Sequence, residues 1–383
     1  MGLLYILLLV LVVGSAVYCI LVIEAARRYR HRMFPAFAAA PVVPISVLKP
    51  LRGIEEGLAE NLRSFLAQDY PSFEVLFGVD EPDDPALEVA MAVSREFPHV
   101  ACRCLVTGTP SYRNPKVYSL ERLVAAARYD LLVMSDSDIR VGPDLLRVIA
   151  AEFADQNLGL VTCPYRAVSG NSFWSRLEAI GINTEFIAGV LVARLIEGMK
   201  FAVGPTIVIR KKVLESIGGL QRVKDYYIDD FLLGKFAAEH GFGVELSAYV
   251  IEHHIGAQGF LDNLRHRVMW LRGTRRSRPK GYFGQIFTYT LPLALLLLIL
   301  KPALWLLCIS AILLRFVSAW AVAVYVLRDP LTSRSWHLLP LEDLLSWFFW
   351  LAALFGNTIL WRGRRFALLP DGRFQPLERE SAG

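Results

Sequence analysis

Charged residues are scarce in this 383-residue chain, at 20% of the composition against 54% for the hydrophobic types. The shortage is concentrated in blocks, because residues 1–23 and 281–300 carry no charge at all. Uncharged runs of this length can cross a bilayer. Together with a mean hydropathy of +0.40, they exclude an ordinary soluble enzyme and predict an integral membrane protein.

Cysteine is also rare, and none of the five cysteines shows the spacing of zinc ligands. Cys19 and Cys308 lie in apolar runs, whereas Cys102, Cys104 and Cys163 lie in the mixed middle of the chain. We expect the latter three to be reduced thiols of a cytoplasmic domain. No internal repeat or low-complexity tract is visible, which argues against a repeat protein.

A nucleic-acid recognition motif is missing as well. The net charge is +5, but the basic residues cluster beside the apolar runs. This distribution suits a domain that rests on an anionic membrane leaflet, and we expect no nucleic-acid partner. Nothing in the sequence indicates an obligate protein partner.

The apolar runs predict one anchor at the start and three membrane helices at the end. Residues 1–23 have no basic segment before them and no cleavage site, which indicates an uncleaved anchor. The late runs are residues 281–300, 303–327 and 344–361, followed by a short basic tail, 362–383.

The basic cluster behind the first run places the next segment in the cytoplasm, by the positive-inside rule; its members are Arg27, Arg28, Arg30, His31 and Arg32. We therefore expect residues 24–280 to form a cytoplasmic catalytic domain at a bacterial inner membrane. Four spans would leave the basic 362–365 segment outside. Either the last run does not cross, or the first cluster dominates, which we favour.

The middle of the chain alternates β-type and helical segments. Strands are predicted at residues 44–48, 74–79, 101–106 and 130–134, and helices at 57–67, 86–97 and 116–127. This alternation predicts an α/β domain with a parallel sheet and right-handed crossovers. Ligands of such sheets bind at the carboxyl ends of the strands.

Acidic residues stand where those strands end. "GVDEPDD" follows the second strand, and "SDSDIR" places Asp136 and Asp138 after the fourth. Two nearby carboxylates repel each other unless a cation lies between them, although a polar strand-to-turn exit is the simpler alternative. A third cluster, Asp229 and Asp230, precedes a helix that Gly241 closes, where one aspartate could instead be an N-cap. Three such clusters in one domain favour a functional site.

This order of features resembles the ceramide glucosyltransferase family, with its bacterial hopanoid glycosyltransferase branch. The resemblance runs through "ISVLKPLRG", "NLRSFLAQDYPSFEVLFGVDEPDDPA", "NPKVYSLERLVAAARYDLLVMSDSDIRVGPDLL", "GLVTCPY", "IDDF" and the late "WRGRR". It implies a GT-A (nucleotide-diphospho-sugar transferase) Rossmann-like domain flanked by transmembrane helices. It also implies inverting transfer from a UDP-sugar to a lipid hydroxyl of ceramide or hopanoid type in the membrane.

The resemblance assigns nucleotide-sugar contacts to particular residues. Lys49 would lie beside the uracil, and Asp83 or Asp84 on the base. Lys116 in "NPK" would lie near the nucleotide, and Asp136 would face the ribose and phosphates.

It also implies a divalent cation, Mn²⁺ or Mg²⁺, held by Asp138 with Asp136, because carboxylates and a hard cation stabilise a diphosphate leaving group. Asp230 would be the general base, and neighbouring Asp229 would raise its pKa. His253 in "IEHHIG" is a further metal-ligand candidate, with a strand-end histidine as the alternative.

One departure concerns the (Q/R)xxRW motif of relatives and processive polysaccharide synthases. Here residues 266–270 read "HRVMW", so Trp270 is present but Met269 stands where the arginine is expected. The candidates to supply the cation instead are Arg272, which we assign to donor binding, Arg275 and Arg276.

Two features of the apolar segments each have more than one interpretation. Arg315 interrupts an apolar run, where it could serve function, snorkel or contact a headgroup. The apolar character of residues 186–204 indicates either an interfacial helix beside the entry of the lipid acceptor or a helix of the protein core. The competing functions are a processive polysaccharide synthase and a catalytically silent membrane scaffold.

Overall fold

The computed structural model describes residues 2–31, 42–361 and 364–377. The strands are β1 (Ile45–Pro50), β2 (Phe73–Val79), β3 (Ala101–Val106), β4 (Leu131–Ser135), β5 (Ile139–Arg140), β6 (Leu158–Thr162), β7 (Tyr165–Ser169), β8 (Thr206–Arg210), β9 (Gly243–Leu246), β10 (Ile251–Ile255), β11 (Thr358–Trp361), β12 (Arg364–Leu368) and β13 (Phe374–Pro376).

The α-helices are α1 (Gly2–His31), α2 (Leu58–Leu66), α3 (Pro85–Glu96), α4 (Pro115–Ala126), α5 (Leu145–Glu152), α6 (Phe173–Gly181), α7 (Ile187–Glu197), α8 (Lys211–Ser216), α9 (Asp229–Glu239), α10 (Phe260–Ser277), α11 (Pro279–Gly284), α12 (Thr290–Leu300), α13 (Trp305–Trp320), α14 (Pro330–Arg334) and α15 (Leu339–Ala353). Two π-helical turns, Ile182–Phe186 and Ala321–Val326, continue α6 and α13.

A seven-stranded sheet in the order β3-β2-β1-β4-β8-β6-β9 forms the centre of the domain. The four strands predicted from the sequence are confirmed and pair in parallel, with Ile45 opposite both Phe73 and Leu131. The apolar runs of β1, β2 and β4 are buried, as in sheets covered on both faces, whereas β3 at the edge of the sheet is partly exposed. The sheet is nevertheless mixed, because β8 pairs antiparallel with β4 and β6.

The helices between these strands begin where the sequence places caps. Asp84 and Asn114 are the N-cap residues of α3 and α4, and a proline follows each. A proline fits the first helical turn because its missing N–H has no intrahelical partner there. The carboxylate of Asp84 and the amide oxygen of Asn114 accept backbone hydrogen bonds instead.

A second, three-stranded sheet in the order β5-β10-β7 lies beside the first. In it, β10 runs antiparallel to β5 and places His253 opposite Ile139. That register brings the histidine next to Asp138, 115 positions earlier in the chain.

Three helical segments of the described residues are long and apolar enough to cross a membrane: Gly2–His31, Phe173–Glu197 and Pro302–Val326. A bent pair, Pro279–Thr288 with Thr290–Leu300 at 58°, makes a fourth candidate. One stripe of α1 is buried: Val12 packs against α12 and α13, whereas Val22 and Ala26 pack in the main core cluster with α7 and Ala321–Val326. The opposite face leaves Leu3, Val10, Val17 and Ile20 exposed, as a lipid-facing helix would.

Arg315 in Pro302–Val326 is buried in an ion pair. Its guanidinium donates to Asp343 of α15 at 2.7 and 3.0 Å and to the carbonyl of Thr184 at 3.3 Å. A charge among apolar helices needs such a partner. The arginine thus joins α13, α15 and the π turn after α6.

The prediction of one helix over residues 344–361 is wrong. Helix α15 ends at Ala353 and β11 begins at Thr358. The intervening carbonyls accept hydrogen bonds from guanidinium groups of α10, and Gly356 has a φ of 75°, which favours glycine. The donors are Arg272, to Phe355 and Thr358, and Arg275, to Leu354 and Gly356.

Two other boundaries also differ from expectation. The helix predicted at residues 186–204 begins at Phe173 and passes through a π turn to Glu197. The predicted basic tail contains β12 and β13, which form a sheet with β11, and residues 378–383 lie outside the described ranges. Strand β13 returns to the catalytic domain, where the N–H of Phe374 donates to the carbonyl of Asp225 at 3.0 Å.

We expect Arg275→Gln to lower the stability of the protein by about 1–3 kcal/mol, because its guanidinium satisfies the carbonyls behind α15. The measurement is thermal unfolding in detergent beside nucleotide binding. Arg265→Gln is the control, since Arg265 lies on the same helix with 60% of its side chain exposed. If the Arg275→Gln protein keeps normal stability but loses nucleotide binding, Arg275 would instead be the cation that replaces the missing arginine of the (Q/R)xxRW motif.

Candidate active site

The candidate site lies where the carboxyl ends of β1 and β4 meet the amino end of β8. Because β8 is antiparallel to β4, Ser135 at the end of β4 pairs with Thr206 at the start of β8. The N–H of Asp136 donates to the carbonyl of Pro205 at 3.0 Å. The segment 136–138 therefore leaves the sheet directly beside residues 204–205.

Lys116 and Asp136 form an ion pair at this edge. The amine of Lys116, in the first turn of α4, lies 2.6 Å from Oδ1 of Asp136. Burial disfavours the charged amine, but Asp136 and Asp229 outweigh that effect and raise the pKa of Lys116. Lys116 therefore stays protonated beside these carboxylates, and its amine is a charged donor that suits a phosphate oxygen.

Asp138 and His253 form a second pair, with Nε2 of the histidine 3.0 Å from Oδ2 of the aspartate. Burial alone would raise the pKa of Asp138, but His253 outweighs it and the pKa is lowered. Oδ1 of Asp138 and Nδ1 of His253 are buried and have no hydrogen-bond partner among the described residues. Buried polar atoms are normally satisfied, so these two point to an absent group.

The Asp138–His253 pair could supply some, but not all, of the ligands that a divalent cation needs. Carboxylate oxygen and imidazole nitrogen both bind Mn²⁺, and a Mg²⁺ or Mn²⁺ site needs only one or two protein ligands when phosphates complete it. Within the described ranges, no group of three or more His, Cys, Asp or Glu side chains could hold a metal. The remaining ligands would have to come from water or a bound diphosphate.

Asp229 and Asp230 are the first two residues of α9. The amide of Asn114 donates to Oδ1 of Asp229 at 3.2 Å, which ties the start of α9 to the cap of α4. Neither aspartate is the N-cap, since Ile228 holds that position. Burial, with the charge of Asp229 second, raises the pKa of Asp230 to about 7.

The loop before β8 fixes the position of Asp230. A Cβ on Gly204 would lie 2.7 Å from Oδ2 of Asp230, too close for an undisturbed side chain. A Cβ on Gly234 would lie 2.2 Å from the backbone N of Ala202, so α9 packs directly on this loop. A small cavity at the same edge is lined by Lys116, Asp136, Asp229 and Gly204, among others.

Lys49 lies beneath this edge, not in its opening. Its side chain is fully buried, and its amine donates to the carbonyl of Asp136 and lies 3.9 Å from the ring centroid of Phe65. Burial lowers the pKa of Lys49 to about 7. The structure thus gives this lysine contacts that support the turn of Asp136.

Of the other predicted nucleotide contacts, Asp83 is exposed and Asp84 is engaged in local structure. The carboxylate of Asp84 accepts from the N–H of Ala86 at 2.9 Å and from that of Gly53 at 2.9 and 3.1 Å. Asp84 therefore holds the loop after β1 against the start of α3.

Trp270 and Arg272 on α10 contact other parts of the protein. The centroid of the Trp270 ring lies 4.5 Å from that of the His266 imidazole. The hydrogen bonds of Arg272 go to carbonyls behind α15. Met269 packs in the apolar cluster of the C-terminal sheet, which explains why an apolar residue replaces arginine there.

Sequence reasoning missed three residues of this site: Asn114, Gly204 and Glu55. Asn114 precedes the "PK" of a recognised segment, so its capping position was visible from the sequence. Glu55 accepts from the hydroxyl of Ser137 at 2.7 Å, and burial raises its pKa. Nothing local in the sequence marks Gly204 or Glu55, because their partners are distant in the chain.

The fold and this site define a class of protein. A mannosyltransferase from Pyrobaculum calidifontis, solved in complex with GDP-Man and Mn²⁺, has a TM-score of 0.56 and 18% identity to this chain, covering 91% of this chain and 99% of that one. At this identity the likeness shows the fold, which is that of a GT-A-like glycosyltransferase. The pattern of glycosyl transferase family 21 matches residues 6–374, and the chain belongs to that family.

Two relatives from Caenorhabditis elegans are similar over most of the chain. Ceramide glucosyltransferase 1 is 24% identical over 359 residues, which are 91% of this chain and 76% of the relative. Ceramide glucosyltransferase 3 is 23% identical over 384 residues, which are 96% of this chain and 83% of the relative. The resemblance seen in the sequence motifs is thus confirmed.

We expect Asp138→Asn to weaken Mn²⁺ binding by ~10-fold or more, because it removes a ligand charge from a site with few protein ligands. Binding is measured from the loss of the free Mn²⁺ paramagnetic resonance signal, with UDP present. Glu215→Gln, at an exposed carboxylate of α8 outside the site, should leave binding unchanged. Equal affinity of the Asp138 variant and the parent protein would place the ion elsewhere.

Proposed function

We propose that this protein transfers a hexose or N-acetylhexosamine from a UDP-sugar to a lipid hydroxyl of ceramide or hopanoid type. The reaction inverts the anomeric centre and gives a β-glycolipid. The observation that carries the proposal is the meeting of the Lys116–Asp136 pair, the Asp138–His253 pair and Asp230 at one sheet edge. Charge compensation for a diphosphate and a proton acceptor are what such a transfer needs.

The donor side uses Lys116 and the Asp138–His253 pair. The charged amine of Lys116 contacts a phosphate oxygen of the UDP-sugar, and Asp136 holds that amine in place. Asp138 and His253 would hold Mn²⁺ or Mg²⁺, which when bound neutralises charge on the leaving diphosphate. Asp84, Arg272 and Lys49 then support the surrounding loops, and exposed Asp83 stays a candidate for the base.

The acceptor side uses Asp230. The lipid hydroxyl oxygen bonds to the anomeric carbon while the bond from that carbon to the diphosphate oxygen breaks, and Asp230 takes the hydroxyl proton. With a pKa of about 7, this carboxylate is close to the value at which a general base works best at neutral pH. The charge of Asp229 contributes to the raised pKa of Asp230. The hydrogen bond that Asp229 accepts from Asn114 fixes the start of α9.

The apolar helices support the proposal that this chemistry takes place at a membrane. The C-terminal end of α1 carries Arg27, Arg28 and Arg30, and the catalytic domain follows it. By the positive-inside rule this domain lies on the cytoplasmic side, at the inner membrane of a bacterium. A lipid acceptor would therefore reach the site from the bilayer, and the donor from the cytoplasm.

We expect Asp230→Asn to reduce transfer by ~10²-fold or more while UDP binding survives, because the amide keeps its size but cannot accept the proton. The assay is transfer from radiolabelled UDP-glucose or UDP-N-acetylglucosamine to ceramide and hopanoid lipids, with product size and anomeric linkage determined. Since Asp230 must be ionised, transfer by the parent protein should fall as pH drops through about 7.

Glu215→Gln, at an exposed position of α8 outside the site, serves as the matched control for a lost carboxylate. Near-normal transfer by Asp230→Asn or an α-linked product would contradict the mechanism. A polymeric product would favour the processive synthase, and no transfer by the parent protein would favour the silent scaffold.

We expect Gly204→Ala to slow transfer by ~10-fold or more with little loss of UDP binding, because the new methyl group would displace Oδ2 of Asp230. Gly284→Ala is the control, since a Cβ there meets no atom within 4 Å. The measurement is kcat and KM for each variant. Unchanged kcat for Gly204→Ala would show that the position of Asp230 tolerates this shift.

A further inference from the structure

A cleft of about 540 Å³ lies on the catalytic domain away from the carboxylate cluster. Glu252 of β10 lines this cleft, whereas the next residue, His253, contacts Asp138. Successive side chains of a strand point to opposite faces of a sheet. The cleft and the candidate active site are therefore on opposite faces of the β5-β10-β7 sheet.

Positive charge predominates in the cleft. Its lining includes Arg30, Arg140, Arg166 and Arg328 against Asp144 and Glu252. Glu252 is already paired, because it accepts from Arg166 and lies 3.0 Å from Nε2 of His254. The four arginines of the lining come from four separate segments of the chain, so their meeting at one cleft is a property of the fold. Nε of Arg140 donates to Oδ1 of Asn61 on α2 at 3.1 Å, which holds this arginine in the wall.

The cleft opens where two apolar helices end. Arg30 is in the last turn of α1, and Leu327 and Arg328 follow the segment Pro302–Val326. The guanidinium of Arg30 lies 5.4 Å from the ring centroid of Tyr325, so the two helices end at the same level. Aromatic and basic residues at helix ends are typical of the membrane–water interface.

Direct bonds fix the cleft relative to these helix ends. The hydroxyl of Tyr29 donates to the carbonyl of Ser247 at 2.6 Å, and Ser247 precedes two residues of the cleft wall, Ala248 and Tyr249. Arg166 donates to the carbonyl of Arg328 at 3.0 Å. These bonds hold the wall of the cleft next to the ends of the two apolar helices.

We propose that this cleft binds the phosphate headgroup of an anionic membrane phospholipid. Guanidinium groups match phosphate oxygens by paired, charge-assisted hydrogen bonds. The lipid source follows from the position at the ends of α1 and Pro302–Val326, and from apolar wall residues such as Val148 and Leu327. This ligand is neither donor nor acceptor of the proposed reaction, so the inference goes beyond that function.

The test uses the full-length protein in a neutral maltoside detergent. Soluble dihexanoylphosphatidylglycerol is titrated by thermophoresis, beside dihexanoylphosphatidylcholine and inorganic phosphate. We expect saturable binding of phosphatidylglycerol at least ~10-fold tighter than that of the other two. Equal affinity for phosphatidylcholine would overturn the role of charge, and equal affinity for inorganic phosphate would overturn the lipid assignment.

Variants then locate the binding. Arg30→Gln with Arg328→Gln should weaken phosphatidylglycerol binding by ~10-fold or more, whereas Arg30→Lys with Arg328→Lys should retain most of it. The charge-matched control is Arg95→Gln with Lys212→Gln, at exposed positions of α3 and α8. Parent-like binding by the double glutamine variant would overturn the proposal.

Folding of each variant is checked by monodisperse elution and by UDP binding. If the double glutamine variant does not elute as one species, Arg328→Gln alone replaces it, because Arg328 is exposed. A loss of lipid binding with UDP binding retained would support the cleft assignment. Unchanged lipid binding by Arg328→Gln and by a charge-reversed Arg328→Glu would overturn it.

Discussion

The organisation of this protein depends on keeping several carboxylates close together without mutual repulsion. Five of them approach one sheet edge: Glu55, Asp136, Asp138, Asp229 and Asp230. The compensating groups come from elsewhere in the fold, as Lys116 arrives on α4 and His253 on β10. Like charges in a poorly hydrated site raise one another's pKa, so the excess negative charge is stable only with cations or protons nearby.

This constraint explains why the edge is built from so many separate elements. Helix α4 contributes the cation, the loop before β8 contributes a glycine that admits a carboxylate, and α9 contributes the carboxylate that we propose as proton acceptor. Asn114 connects two of these parts, because it caps α4 and also donates to Asp229. The start of α4, which carries Lys116, and the start of α9, which carries Asp230, are thereby held in one hydrogen-bonded unit.

Local sequence was sufficient for the first half of the domain. Strands β1 to β4 and the helices between them could be predicted because apolar runs, caps and prolines mark their limits within a few residues. The acidic clusters were equally visible, since each directly follows or begins an element. These predictions needed only patterns that repeat over two to four residues.

Long-range pairing could not be predicted in the same way. The antiparallel insertion of β8, and the contact of His253 with Asp138, depend on partners over 70 positions away. The end of α15 was missed because its carbonyls are satisfied by arginines of α10 and not by local residues. In the sequence, the positive charge of these arginines indicates a role at the donor site. Their hydrogen-bond partners, the carbonyls after α15, are too distant in the chain to be predicted.

The return of β13 to the catalytic domain has a consequence for biosynthesis. Phe374 bonds to Asp225, and Arg373 pairs with Tyr226, three residues before the first aspartate of α9. Ribosomes deliver this strand after every apolar helix and after the whole seven-stranded sheet. A chain whose translation has not yet passed β13 therefore holds the start of α9 without this support, which forms only after Arg373 and Phe374 have left the ribosome.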